Sequence, residues 1–253
     1  MNARYGHTAF GLRYLQANLG SLSERSKIIE FDLQKTPEEA AARIAEEAPS
    51  IVGIGAHIWN ASRLPAWIQG LRTRLPSVRI VLGGPEVGFD DHADWAGLCD
   101  YMIAGEADQA FAELCRQLLN GAPPPGPLIK APPPDLAELA RPYSLYSDED
   151  LAHRTLYVET SRGCPFTCEY CLSSVERSVR FFPLPGLFDD FRRLMDRGAR
   201  HFKFVDRTFN LNIPHCLETL QFFLLEFRPG LFLHIEAIPD RLPQELRDIL
   251  LRF

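Results

Sequence analysis

No apolar run in this 253-residue chain approaches the length of a membrane span. The N-terminus lacks a charged-then-apolar signal segment. The expected setting is therefore cytoplasmic, with no membrane partner. Basic residues are not in excess: 27 Lys and Arg stand against 33 Asp and Glu, a net charge of −6. That balance argues against a large phosphate-binding surface and makes nucleic acid an unexpected partner, although one local basic cleft does not show in a total. Nor is there a disulfide framework to read. The six cysteines, Cys99, Cys115, Cys164, Cys168, Cys171 and Cys216, come without secretory features or a small loop-rich scaffold. What remains is 46% hydrophobic and 24% charged, a globular composition long enough for one large or two ordinary domains.

Strand and helix patterns alternate through the first 120 residues. Strand patterns fall at Lys27–Leu33 (KIIEFDL), Ile51–His57, Val78–Leu82 and Tyr101–Ala104. Helix patterns fall at Thr8–Leu19, at Pro37–Ala48 with Thr36 as N-cap, at Arg63–Leu75 and at Gln109–Leu119. Short connections between them predict a parallel sheet with helices on both faces. The order opens helix first, so the strand expected before that helix is missing or the sheet is one strand short. Gly121–Pro142 holds two PPP runs and reads as a semi-rigid spacer. Alternation then resumes: strands at Thr155–Thr160, His201–Val205 and Leu231–Ala237, helices at Leu187–Gly198, Ile213–Phe227 and Pro243–Phe253. Three βα units are too few for a closed barrel. The expected domains are 1–120, a linker over 121–150, and a truncated half-barrel over 151–253.

The most specific signal is local. Glu159-Thr-Ser-Arg-Gly-Cys164-Pro-Phe-Thr-Cys168-Glu-Tyr-Cys171 places C-x3-C-x2-C directly after a strand. Three thiolates on one loop suit three corners of a cubane cluster and leave the fourth iron open to a small molecule. The competing reading is structural zinc, which wants four closed ligands. His153, His201 or Cys216 offers a fourth, but no second knuckle is present.

C-x3-C-x2-C with an aromatic before its last cysteine, after the first strand of a βα array, resembles the radical S-adenosylmethionine (SAM) superfamily. The resemblance implies that Cys164, Cys168 and Cys171 hold a [4Fe–4S] cluster. SAM then chelates the open iron and is cleaved by one electron to methionine and a 5′-deoxyadenosyl radical. It implies that Tyr170 lies against the adenine, the alternative being an ordinary packed tyrosine. Past the second strand, Asp206 and Asn210 are the expected SAM-binding groups, in place of the glycine-glycine-glutamate of many members. Arg207 either meets the SAM carboxylate or is a solvated charge. Glu236, in the third strand, either contacts SAM or faces outward.

The preceding domain resembles that of the cobalamin-binding subclass of radical SAM proteins. The likeness rests on Gly53-Ile-Gly55 through Trp59-Asn60, on Gly83-Gly84-Pro85-Glu86 and on Gly105-Glu106, each after a strand. Small residues there are read as leaving room for a ligand, which implies cobalamin near Gly55, Gly83, Gly84, Gly105 and Glu106. The cobalt-ligating D-x-H-x-x-G of other cobalamin domains is absent. Its counterpart, Tyr5-Gly-His7-Thr-Ala-Phe-Gly11, has no aspartate, so His7 is a weak candidate cobalt ligand.

The fold class expected is α/β, a doubly wound Rossmann-like cobalamin-binding domain followed by part of a radical SAM (β/α) barrel. The activity implied is methylation, or another radical modification, of an unactivated carbon in a small-molecule or peptide substrate. A flavodoxin- or ferredoxin-type protein is the implied electron donor. The alternatives are a non-catalytic zinc-binding adaptor and an inactive truncated fragment. Cys99, Cys115 and Cys216 read as packed thiols.

Overall fold

The computed structural model describes residues 6–89, 95, 97–171 and 177–253. It divides into two compact units, one containing Ala9–Pro142 and the other Gly6–Thr8 with Tyr143–Phe253.

The first unit is built on a four-stranded parallel sheet. Its strands, β1 (Ile51–Gly55), β2 (Arg79–Gly83), β3 (Tyr101–Gly105) and β4 (Leu128–Ala131), lie in sequential order. Five α-helices accompany them: α1 (Phe10–Ala17), α2 (Pro37–Ala45), α3 (Leu64–Arg74), α4 (Pro85–Phe89) and α5 (Asp108–Leu119). Helix α2 starts where the sequence signals it. The Thr36 side chain accepts from the Glu39 N–H, Glu39 bonds back to the Thr36 N–H, and Pro37 occupies the first turn. Strand β2 is covered on both faces. Ile80 and Leu82 pack with Leu64, Ile68 and Leu71 of α3, while Val81 turns the other way, to Ile103 of β3 and Leu114 of α5. Leu64, Ile68 and Leu71 are fully buried, and each contributes about 2 kcal/mol by leaving water.

Two expectations are corrected here. Lys27–Leu33 is not a strand, and Lys27–Phe31 makes no backbone–backbone hydrogen bond to any described residue. A strand needs a ladder partner, and among the described residues β1 pairs with β2 alone. The proline-rich stretch is not all spacer: Leu128–Ala131 pairs with β3, Met102 opposite Leu128 and Gly105 opposite Ala131. The four residues LIKA between the proline runs keep their N–H groups, so they can extend the sheet where their neighbours cannot. Ser147 then caps α6 (Asp148–His153), and the division between units falls at Pro142.

The second unit holds a three-stranded parallel sheet of β5 (Leu156–Val158), β8 (His201–Phe204) and β9 (Phe232–His234), ordered β5-β8-β9. A two-stranded antiparallel ribbon, β6 (Ser161–Arg162) with β7 (Arg180–Phe181), follows β5. Helices α7 (Leu184–Asp196), α8 (Ile213–Leu225) and α9 (Gln244–Leu250) complete it. The core is aromatic: Phe202 and Phe204 of β8 meet Phe223 of α8 edge to face at 5.3 and 5.9 Å. Phe191 of α7 lies 5.7 Å from Phe223. Such contacts add about 0.5–1.5 kcal/mol each beyond area burial. Strand β9 is shorter than the sequence suggests. After His234 the backbone bonds to the loop that follows β8 instead of a ladder, with the Phe209 N–H donating to the Glu236 carbonyl at 2.8 Å.

Candidate functional site

The cysteine loop leaves the carboxyl end of β5 and is fastened before the first cysteine. At its base Asp206, 1% exposed, accepts four bonds. The Thr160 N–H reaches its two carboxylate oxygens at 3.0 and 3.1 Å, the Thr160 hydroxyl donates at 2.7 Å and the Ser161 hydroxyl at 2.6 Å. Burial pushes the Asp206 carboxyl up, against these donors, which favour its charged form. Tyr143, also buried, accepts from the Glu159 N–H at 3.2 Å. The buried Glu159 carboxylate is paired with the Arg162 guanidinium, whose Nη2 lies 2.9 Å from Oε1, and Arg162 also lies over the Phe182 ring.

Glycine opens the loop. Gly163 has φ of +91°, and a Cβ there meets the Ser178 carbonyl oxygen at 2.1 Å. Only a residue without a side chain lets the two arms of the β6–β7 ribbon close so tightly. Cys164 follows, buried, with its Sγ 3.7 Å from the Thr208 hydroxyl. Cys168 is exposed and Cys171 half-buried, joined by a turn in which the Cys171 N–H donates to the Cys168 carbonyl at 3.0 Å. Tyr170 is 93% exposed.

The donor set fits an iron–sulfur cluster with one open iron: three thiols on one loop whose base is rigid and whose first thiol is shielded. Among the described residues, no three Cys, His, Asp or Glu side chains stand close enough to hold a metal ion. A cluster held by all three thiols would require Cys168 and Cys171 to turn in toward Cys164. No zinc tetrad with His153, His201 or Cys216 is preformed either, and Cys216 is a buried thiol whose burial pushes it up to about 12. Residues 172–176, next to Cys171, lie outside the described residues.

Two of the residues assigned by sequence to SAM binding, Asp206 and Asn210, make hydrogen bonds that hold loops. Asp206 is spent on Thr160 and Ser161. The buried Asn210 donates to the Ile238 and Arg241 carbonyls at 2.9 and 2.6 Å and accepts from the Ile238 N–H at 2.8 Å, so it ties the β8 and β9 loops together. Arg207 and the Glu236 side chain are exposed. Sequence reasoning missed Thr160, Ser161, Thr208 and the Glu159–Arg162 pair. The one local signal was Gly163 directly before Cys164.

In the first unit, Gly55, Gly83 and Gly105 stand at the carboxyl ends of β1, β2 and β3, followed by Gly84 and Glu106. Two of these glycines have a backbone requirement of their own, whatever binds beside them. Gly84 (φ +102°) puts a Cβ 2.7 Å from the Ala56 carbonyl, and Gly105 (φ +98°) one 2.5 Å from that of Ala131. Both are required by close backbone approach. Gly83 has only ordinary contact, and Glu106 is half-buried. The buried Asn60 shapes the loop after β1, accepting from the His57 N–H at 2.8 Å and donating to the Gly55 carbonyl at 2.9 Å. That loop presents Ile58 and Trp59, 80% and 45% exposed, with Trp59 stacked on the His57 ring at 4.4 Å. His7 belongs to the second unit, where its Nδ1 lies 2.5 Å from the Tyr157 hydroxyl; that ring nitrogen is not free for cobalt.

Burial pushes His57 from its ordinary 6.5 down to about 4, so the ring facing Trp59 is neutral. The unfolded chain takes up this proton first. Stability present above pH 6.5 is therefore lost as pH falls toward 4, by up to roughly 3 kcal/mol at about 1.36 kcal/mol per unit. Urea unfolding followed by tryptophan fluorescence across this window checks it. His57→Gln should flatten the profile, and an equally steep profile in that variant assigns the effect elsewhere.

Comparison with known proteins gives this geometry its relatives. Residues 1–115 match the B12 binding domain family. The chain is 26% identical over 210 residues to the 2-(S-pantetheinyl)-carbapenam-3-carboxylate methyltransferase of Streptantibioticus cattleyicolor. It is 27% identical over 213 residues to the cobalamin-dependent radical SAM methyltransferase TokK of Streptomyces tokunonensis. Each match takes in 72% of this chain but 30% of the relative, so the chain spans about a third of the length of those proteins. Among solved structures, the radical SAM methyltransferase TsrM of Kitasatospora setae, with cobalamin and a [4Fe–4S] cluster bound, shares the fold. Its TM-score is 0.73 at 17% identity, over 99% of this chain and 57% of that one. Its first 115 residues match the B12 binding domain, and most of the chain is similar in sequence to a cobalamin-dependent radical SAM methyltransferase.

Proposed function

We propose that this chain carries the SAM-cleaving and cobalamin-binding parts of a radical SAM enzyme, most simply one that methylates an unactivated carbon. The observation that carries this reading is the C-x3-C-x2-C loop at the carboxyl end of β5, locked at its base, in a chain whose first unit matches the B12-binding domain. The relatives named above are methyltransferases, which supports methyl transfer over other radical outcomes. Bound to such a site, a reduced [4Fe–4S] cluster supplies the electron that cleaves SAM, and cobalamin supplies the methyl group.

The chain's own residues bind and orient. Cys164, Cys168 and Cys171 are the cluster ligands. Asp206, Tyr143 and the β6–β7 ribbon hold the loop that bears them. Tyr170, exposed beside Cys171, is the proposed adenine contact, and the exposed Arg207 and Glu236 are the proposed charged contacts from the loops after β8 and β9. At the carboxyl ends of the first sheet, where parallel sheets take their ligands, Ile58 and Trp59 offer exposed apolar surface for the corrin. A flavodoxin- or ferredoxin-type protein is the proposed electron donor, and the substrate is a small molecule or peptide.

The test is anaerobic reconstitution with iron, sulfide and cobalamin, followed by SAM and a strong reductant, with 5′-deoxyadenosine and methylated cobalamin both measured. Products that vanish in Cys168→Ala are expected. A chain that binds zinc and yields neither product is an adaptor, and this reading then fails.

A further inference from the structure

Strand β8 divides its side chains between two faces. Phe202 and Phe204 enter the aromatic core with Phe191 and Phe223, and the alternation of a strand sends Lys203 to the other side. The ladders put Tyr157 of β5 and His234 of β9 directly opposite Lys203. One polar side chain from each of three neighbouring strands therefore stands in a row across that face. None of the three has a part in the proposed cluster, SAM or cobalamin contacts.

Ring contacts place these side chains together. The Lys203 Nζ lies 5.8 Å from the centroid of the Tyr157 ring, and the His201 and Phe232 rings, two residues earlier on their strands, lie 5.8 Å apart. The Tyr157 hydroxyl is engaged by the His7 Nδ1 at 2.5 Å. The Lys203 ammonium is not so engaged. Among the described residues it makes no hydrogen bond and no ion pair, and the same holds for the His234 ring and the Glu236 carboxylate two residues further on.

Lys203 is half-buried, so its charge has lost part of its water without gaining an acceptor. An anion between Lys203 and His234 supplies one. Neighbouring strands stand about 4.8 Å apart, a gap that the two oxygens of one carboxylate bridge, and a histidine ring carries an N–H in any protonation state. One lysine balances one negative charge, which favours a carboxylate over a phosphate dianion. The His201–Phe232 pair borders the row toward the amino ends of the strands. The cysteine loop leaves the other end of the same sheet, and Tyr157 stands three residues before Thr160, about 10 Å along the strand. A carboxylate in the row leaves the carbon body of its ligand the length of the strand ends to run toward the loop.

We infer that Tyr157, Lys203 and His234 form the binding site for the carboxylate of a small monoanionic substrate. Lys203 supplies the charge, His234 an N–H, and Tyr157, held by His7, the wall against which the ammonium is set. Calling this ligand the substrate rests on the radical-enzyme reading; the carboxylate site does not.

The probe is N-acetylphenylalanine, with its uncharged amide as control, titrated into the full chain without iron, SAM or reductant. NMR signals of the His234 and Tyr157 rings read its binding. The acid should shift both saturably, and bind at least about tenfold more tightly than the amide. Lys203→Met, which keeps an unbranched stem over Tyr157, should abolish that preference in a chain whose remaining spectrum is unchanged. Lys203→Arg, which keeps the charge, should retain it. No binding of the acid, equal binding of acid and amide, or a preference that survives in Lys203→Met overturns the proposal. So does displacement of the acid by S-adenosylhomocysteine, which assigns the row to the SAM carboxylate. No cluster is needed for these measurements, so their failure leaves the iron result untouched, and failure to load iron leaves the bound acid.

Discussion

Asp206→Ala is expected to destabilise the second unit by roughly 3–5 kcal/mol and to prevent metal loading. The substitution removes the acceptor for the Thr160 N–H and for two hydroxyls at a position 1% exposed. Each buried donor left without a partner costs about 1–3 kcal/mol, and water does not easily replace the carboxylate there. The loop consequence is separate from the stability one. Without Asp206, Thr160 and Ser161 are no longer fixed, and the three cysteines begin three residues further on. Asp206→Asn keeps acceptor capacity in the same volume and should recover most of the stability. Comparing iron content of the two variants at equal folded fraction separates positioning from stability. If Asp206→Ala loads iron as well as the unaltered chain does, the carboxylate is only a packing element.

Gly163→Ala should be nearly as damaging, for a reason confined to the backbone. A left-handed φ costs an alanine about 1–2 kcal/mol by itself. At Gly163 the added Cβ also falls 2.1 Å from a carbonyl oxygen, so the ribbon must part before the side chain fits. Gly198 is the matched comparison. Its φ is +107°, at the end of α7, and a Cβ there meets nothing within 4 Å. Thermal unfolding of Gly198→Ala should show the dihedral cost alone, and that of Gly163→Ala at least about 2 kcal/mol more, with loss of the closed loop. Equal effects at the two sites would remove the ribbon clash from the account.

These two residues show what a sequence discloses and what it hides. The cysteine loop was legible because its chemistry is local: three thiols within eight residues after an apolar strand leave few readings. The clamp beneath it was not. Asp206 and Thr160 are 46 positions apart, and a lone aspartate past a strand looks the same whether it meets a ligand or a loop. Most strands and helices appeared where apolar period and capping residues placed them, as at Thr36. The failures share one cause, which is that strands are defined by neighbours. KIIEFDL has strand composition but no ladder with any described residue, while LIKA, between proline runs, forms a strand because β3 has an edge to offer. The glycines after β2 and β3 show the same limit: their backbone contacts, invisible in sequence, account for Gly84 and Gly105 before any ligand is considered.

The metal that the cysteine loop selects decides between an enzyme and an adaptor. Anaerobic reconstitution followed by iron, acid-labile sulfide and zinc analysis, on the unaltered chain and on Cys164→Ala, Cys168→Ala and Cys171→Ala, reads it without any substrate. Iron and sulfide in equal amounts, lost in all three variants while Cys216→Ala retains them, is the predicted result. Zinc at one per chain, or iron indifferent to the three cysteines, would contradict it.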